Sequence, residues 1–225
     1  MTNRKLKRAL ILGATGLVGG YCLKELLNND EYGEIIVLAR RSIPIEHEKL
    51  KVLVINFEQY TLSTERLKVD CVFCCLGTTI KKAGSRSAFR KVDYNYPLDF
   101  AVAVKAVGNP IFVIVTALGA NNKSRIFYNR VKGEVEEALA RIQFKSLIIL
   151  RPSLLLGVRE EARFGEKLAT IIIPLFQPLF IGALKKYRPV SAAVVARAMV
   201  QFAGLNPTGI RIIESDQIAE TDAAP

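Results

Sequence analysis

The chain has 225 residues, 50% of them hydrophobic and 24% charged, which suits one domain with a sizeable core and excludes a large two-domain enzyme or a mostly disordered chain. Lys and Arg number 32 against 21 acids, a formal charge of +11; the cations are spread out without interleaved aromatics, which fits an anionic cofactor or substrate better than nucleic acid. No apolar run is long and unbroken enough for a transmembrane helix.

From the N-terminus, the basic run Arg4-Lys5-Leu6-Lys7-Arg8 leads into an apolar strand at 9–12 that Gly13 ends at once. Strand plus glycine turn explains these residues better than a secretory signal, so no targeting segment and a cytoplasmic location are expected. A helix over 17–28 follows, then strands at 35–39, 52–55 and 71–76, each nearly continuous in apolar residues as strands covered on both faces are. Next come a helix over 97–107 with Asn95 as cap and Pro97 in its first turn, a strand at 111–116, a helix over 128–142 and a strand at 146–150. This alternation predicts an α/β fold, a Rossmann-like doubly wound parallel sheet in a single domain over 1–225.

After Arg151-Pro152 the rhythm changes. Residues 151–205 are expected to form a small C-terminal appendage on the substrate side, with the apolar stretch 168–184 packed as a pocket wall; its surface over 171–181 could equally pair a homodimer. Pro174, Gln177 and Pro178 break the periodicity a membrane-surface helix would need. A helix over 192–202, a strand at 209–213 and a polar, frayed tail over 214–225 complete the chain. Cys71 and Cys74 spell CxxC inside an apolar strand, and His47 is the only histidine, so buried thiols and no metal site are expected.

Three places carry chemistry. Gly13-Ala14-Thr15-Gly16-Leu17-Val18-Gly19 joins a strand to a helix. Gly13 suits a tight turn, Gly16 lets backbone approach a pyrophosphate, and Gly19 lets helix and strand pack closely, while the helix N-terminus offers unpaired N–H groups to phosphates. At the end of the second strand, where NAD binders place an acid for the ribose hydroxyls, stand Arg40 and Arg41, which suit the 2′-phosphate of NADP(H). Tyr128 and Lys132, four apart on one helix face, make a proton-transfer pair: the ammonium stabilises the phenolate so that the hydroxyl can act on a carbonyl or alcohol. Thr116, at the end of the fifth strand, could share the substrate oxygen with Tyr128, and Ser124 competes for that role.

Together these features resemble the short-chain dehydrogenase/reductase superfamily. The wording is most similar to the atypical branch typified by the human Tat-interacting protein of 30 kDa and its bacterial oxidoreductase relatives. Cys75-Leu76-Gly77-Thr78-Thr79, Lys82-Ala83-Gly84, Phe89-Arg90-Lys91-Val92-Asp93, Leu118-Gly119-Ala120, Tyr128 with Val131-Lys132-Gly133-Glu134-Val135-Glu136, and Arg151-Pro152-Ser153-Leu154-Leu155-Leu156 carry the resemblance, which spans residues 7–205. It implies that Tyr128 and Lys132 are the catalytic pair and that Lys132 also reaches the nicotinamide ribose. It implies further that Leu76, Gly77 and Thr78 pass under the adenosine half, that Asn56 and Phe57 lie beside adenine, and that Pro152, Ser153 and Leu154 lie near the nicotinamide amide. Thr116 departs from the serine of many relatives, a stiffer side chain with the hydroxyl kept.

The favoured reading is an NADP(H)-dependent oxidoreductase acting on a small carbonyl or alcohol. An NADP(H)-sensing regulatory protein with little catalysis is the alternative, and a nucleotide-sugar epimerase or dehydratase is third, because few residues follow Lys132 to build a sugar-nucleotide lobe.

Overall fold

The structure, a computed structural model, describes residues 5–59, 64–156 and 182–222. The continuous apolar runs form the strands β1 (Lys7–Leu12), β2 (Tyr32–Ala39), β3 (Leu50–Val54), β4 (Cys71–Cys74), β5 (Ile111–Val115) and β6 (Ser146–Arg151). The short β7 (Leu155–Leu156) and β8 (Val190–Ser191) pair separately, and β9 (Gly209–Glu214) returns to the main sheet. That sheet is parallel throughout, in the order β3-β2-β1-β4-β5-β6-β9. The helices are α1 (Leu17–Leu27), the short α2 (Thr64–Leu67), α3 (Ile80–Ala83) and α4 (Arg86–Arg90), then α5 (Tyr96–Val107), α6 (Phe127–Arg141), α7 (Ala192–Gly204) and α8 (Ser215–Glu220).

Side chains alternate across the pleat, so each strand feeds two cores. On one face Ala9, Ile11, Val37, Phe73 and Val113 pack against Cys22, Leu23 and Leu26 of α1 and Val195, Ala198 and Met199 of α7. On the other, Leu10, Leu12, Val72 and Ile114 pack against Phe100 and Val104 of α5 and Val135 and Leu139 of α6. The same alternation explains the cysteines. Cys71 joins the first core and Cys74 the second, so the two thiols point apart. Burial pushes Cys71 up to about 11 and Cys74 up to about 12.

Two expectations need correction. The helix over 97–107 is not capped by Asn95: α4 runs through a π turn, Lys91–Asn95, directly into α5, and the Tyr96 N–H reaches back five residues to the Lys91 carbonyl. Pro97 is the physical reason, because in a regular α-helix its ring would press on the carbonyl of Asp93 four residues earlier. The tail from Glu214 to Asp222 is not frayed either. Glu214 and Gln217 form a capping box for α8, Ile218 is fully buried, and Asp222 pairs with Arg197 at 2.7 Å. The expected apolar wall over 168–184, with the subunit face over 171–181, lies outside the described residues except where a 3-10 turn, Gly182–Tyr187, begins. No helix among the described residues is long and apolar enough to cross a membrane.

Candidate functional site

The strand order reverses between β1 and β4, and in open α/β sheets ligands bind at that switch point, beyond the carboxyl ends of the strands. Two loops meet there. Gly13, at φ +83°, lies so close to the end of β4 that a Cβ on it would sit 2.7 Å from the Cys75 carbonyl oxygen. A Cβ on Gly19 would sit 2.1 Å from the Gly13 oxygen, so α1 packs onto its own entry loop at a distance only glycine permits. Thr15 and Gly16 are exposed, and Leu17 and Val18 begin α1, whose first turn has no acidic residue and no side-chain cap. The leading N–H groups of a helix have no carbonyls behind them, so this end suits an anion. Arg40 and Arg41 follow β2 into solvent, and neither makes an ion pair or hydrogen bond among the described residues. The glycine loop and the open helix end fit the phosphates of a dinucleotide.

The second half of the site is a buried charge pair. The Lys132 ammonium lies 2.7 Å from Asp93 Oδ1, with the two side chains 5% and 0% exposed. Asp93 Oδ2 accepts the Thr78 N–H at 2.9 Å, which ties the π turn to the loop after β4. Gly77 of that loop covers the pair, since a Cβ on it would lie 3.6 Å from Asp93 Oδ1 and 3.7 Å from Lys132 Nζ. Burial disfavours the Lys132 ammonium, but Asp93 and Tyr128 outweigh it and raise the lysine above its ordinary range. Burial likewise raises the Asp93 carboxyl, against the pull of Lys132 and Thr78. Tyr128 stands one turn before Lys132, its ring 5.5 Å from Phe89.

Asp93 is the residue that sequence reasoning missed as a functional group. Pro97, four positions later, was the available signal, because it forces the π turn that carries Asp93 towards Lys132. Gly133 is the second. A Cβ there would fall 2.2 Å from the Asn122 nitrogen, so the loop before α6 rests directly on the helix beside Lys132. That loop is also held by Asn121 N–H on the Asn129 carbonyl at 3.0 Å and by Arg130 on the Ser124 carbonyl at 2.9 Å.

The remaining residues divide. Leu76, Gly77 and Thr78 are brought to the crevice. Asn56 is exposed, its side chain accepting the Glu58 N–H at 3.0 Å. Phe57 has its ring buried between Tyr96 and Phe100, at 5.4 and 5.1 Å. Pro152 is buried, Ser153 donates its hydroxyl to the Arg188 carbonyl at 2.5 Å, and Leu154 is 64% exposed. Thr116 is buried at the end of β5. Its hydroxyl donates to Glu136 Oε1 at 2.5 Å inside a buried network that Arg151 extends to Glu214. Ser124 is half-buried and precedes α6 in a turn, its oxygen accepting the Ile126 N–H at 3.2 Å while its hydroxyl donates to no acceptor among the described residues.

This parallel sheet, with its glycine loop at the switch point, defines a Rossmann-like protein of the short-chain dehydrogenase/reductase type. MoeE5 in complex with UDP-glucose and NAD has the same fold at TM-score 0.70 and 14% identity, over 96% of this chain and 81% of that one. So does the Bordetella bronchiseptica enzyme WbmH in complex with NAD+, at TM-score 0.68 and 15% identity, over 97% and 80%. The family model described as HIM1 matches residues 46–174, more than half of the chain. Protein FMP52, mitochondrial, of Eremothecium gossypii is 34% identical over 213 residues, 93% of this chain and 95% of that protein. Protein HTATIP2 of Rattus norvegicus is 37% identical over 171 residues, 72% of this chain and 69% of that protein. The chain belongs to the HIM1/FMP52 family, in agreement with the atypical short-chain branch. The expectation of a cytoplasmic protein is overturned here, because FMP52 relatives from Eremothecium gossypii, Candida albicans and Candida glabrata are named as mitochondrial.

Proposed function

We propose that this chain is an NADP(H)-dependent oxidoreductase acting on a carbonyl or alcohol. The observation that carries the reading is the pair Tyr128 and Lys132 on one face of α6, with the lysine held charged beside Asp93 at the edge of the cofactor crevice. Gly16 and the first turn of α1 would take the pyrophosphate, Arg40 and Arg41 the 2′-phosphate, and Leu76, Gly77, Thr78 and the stretch from Pro152 to Leu154 would flank the rest. When bound, the nicotinamide supplies or accepts the hydride. Tyr128 moves a proton between its hydroxyl and the substrate oxygen. Lys132 stabilises the phenolate, Asp93 positions Lys132, and Ser124, in place of Thr116, orients the oxygen. The names of the FMP52 relatives support mitochondria as the setting.

Tyr128→Phe tests the reading. Removing a general acid–base group lowers turnover by about 10²–10⁴-fold, with NADPH binding retained. A Tyr128→Phe protein that reduces accepted carbonyls at the wild-type rate would overturn it.

A further inference from the structure

The mouth of the Tyr128 site is strongly one-sided in charge. Arg86, the first residue of α4, and Arg130, in the first turn of α6, both hold their guanidinium carbons over the ring of Phe127, 5.2 and 5.6 Å from its centroid. Phe127 is one ring away from Tyr128, since Phe89 contacts both, at 5.8 and 5.5 Å. Two carboxylates stand near. Glu134 pairs with Arg90 and lies 4.0 Å from Arg130 Nε, and Asp93 is buried and occupied by Lys132 and Thr78. Arg130 also holds the Ser124 carbonyl, which fixes its position. Arg86 makes no ion pair or hydrogen bond among the described residues. Two guanidiniums held at one ring raise the positive potential at this mouth, which attracts an anion. The planar guanidinium fork matches carboxylate and phosphate, and the half-buried ring of Phe127 offers an apolar surface beside it, backed by the buried Phe89.

We propose that the substrate carries an anionic group, a carboxylate or a phosphate, which docks on Arg86 and Arg130 beside Phe127 while its carbonyl or alcohol reaches Tyr128. This assignment rests on the reading of Tyr128 as the proton-transfer residue. It makes the site selective for oxo or hydroxy compounds that carry a negative charge over their neutral counterparts.

The test uses three aldehydes on one ring: 4-carboxybenzaldehyde, its neutral methyl ester methyl 4-formylbenzoate, and 4-formylphenyl phosphate, each reduced with NADPH. One or both anionic aldehydes should exceed the ester in kcat/KM, and which of them leads tells carboxylate from phosphate. In Arg86→Gln the ratio of anionic to ester kcat/KM should fall about five- to tenfold, through KM for the anion, the size of one partly exposed charge-assisted hydrogen bond. Arg86→Lys should keep part of the ratio, and rising salt should lower it in the wild type. A ratio near one in the wild type, or one that Arg86→Gln leaves unchanged, would overturn the proposal. Binding of the unreactive anions terephthalate and phenyl phosphate to the NADPH-loaded protein, followed by calorimetry, separates the two readings. Anion binding that weakens in Arg86→Gln without any aldehyde turnover upholds the anion site and refutes the hydride-transfer reading. Turnover of the ester with no anion binding does the reverse.

Discussion

Replacing Asp93 by Asn probes the site at its most constrained point. Two donors, the Lys132 ammonium and the Thr78 N–H, converge on the Asp93 carboxylate at 2.7 and 2.9 Å. An amide has a single acceptor oxygen, so one of the donors must face its NH₂ group, and the lysine is left 5% exposed without a counter-charge. Breaking a buried pair in this way costs about 3–5 kcal/mol. At the lower figure, with about 2–4 °C per kcal/mol for a chain of this size, Tm should fall by about 6–12 °C. The Lys132→Met change in the Asp93→Asn background removes the stranded charge, so the double variant should be more stable than the sum of the two single losses allows, with a coupling of about 2–3 kcal/mol. Thermal and urea unfolding of the four proteins at neutral pH measures both quantities. Strictly additive losses, or an Asp93→Asn protein melting within about 2 °C of the wild type, would refute the claim that these groups act as one pair.

Two further outcomes follow from contacts elsewhere. Gly19→Ala should destabilise the protein by about 1–3 kcal/mol or more and weaken cofactor binding, because its Cβ would lie 2.1 Å from the Gly13 oxygen, whereas Gly20→Ala, whose Cβ would lie 3.6 Å from the Ala14 oxygen, should be neutral or stabilising; equal effects in paired melts would contradict the account. Glu34 bridges three strands through Lys51 and Arg8, at 2.5 and 2.6 Å, and the Lys51 bond above all holds its carboxyl below the ordinary 4.5. A depressed carboxyl stabilises above its unfolded pKa and loses that stabilisation as pH falls through the folded one, so the gap in denaturant midpoint between wild type and Glu34→Gln should close on going from pH 6 to pH 3; a constant gap would contradict the assignment.

The parts of the fold legible in the sequence are those dictated by period and by glycine. β4 and β5 read as strands because both of their faces are buried, and the Gly13–Gly19 stretch reads as a tight strand-to-helix turn because a Cβ at Gly13 or Gly19 would strike backbone. What stayed hidden depends on long-range partners. Phe57 follows β3 beside an exposed asparagine, and only the tertiary packing of α5 turns its ring inward. Thr116 sits where a catalytic hydroxyl belongs, yet Glu136, 20 residues on, claims its proton. Asp93 stood in the sequence only as part of a family-like run, and it is the π turn before Pro97 that places it under Gly77. Glu214 opened a polar tail in the sequence, and the cap it makes with Gln217 is visible only once Ile218 has a core to enter.

The central claim, that this crevice holds NADP(H), is tested most directly by titrating the purified protein with NADPH and with NADH and following the fluorescence of the reduced nicotinamide. The account expects NADPH to bind more tightly than NADH, and about tenfold or more of that preference to disappear in Arg40→Ala/Arg41→Ala, as the loss of charge-assisted bonds to a phosphate requires. Equal affinity for the two dinucleotides, or no binding of either by the folded protein, would contradict it.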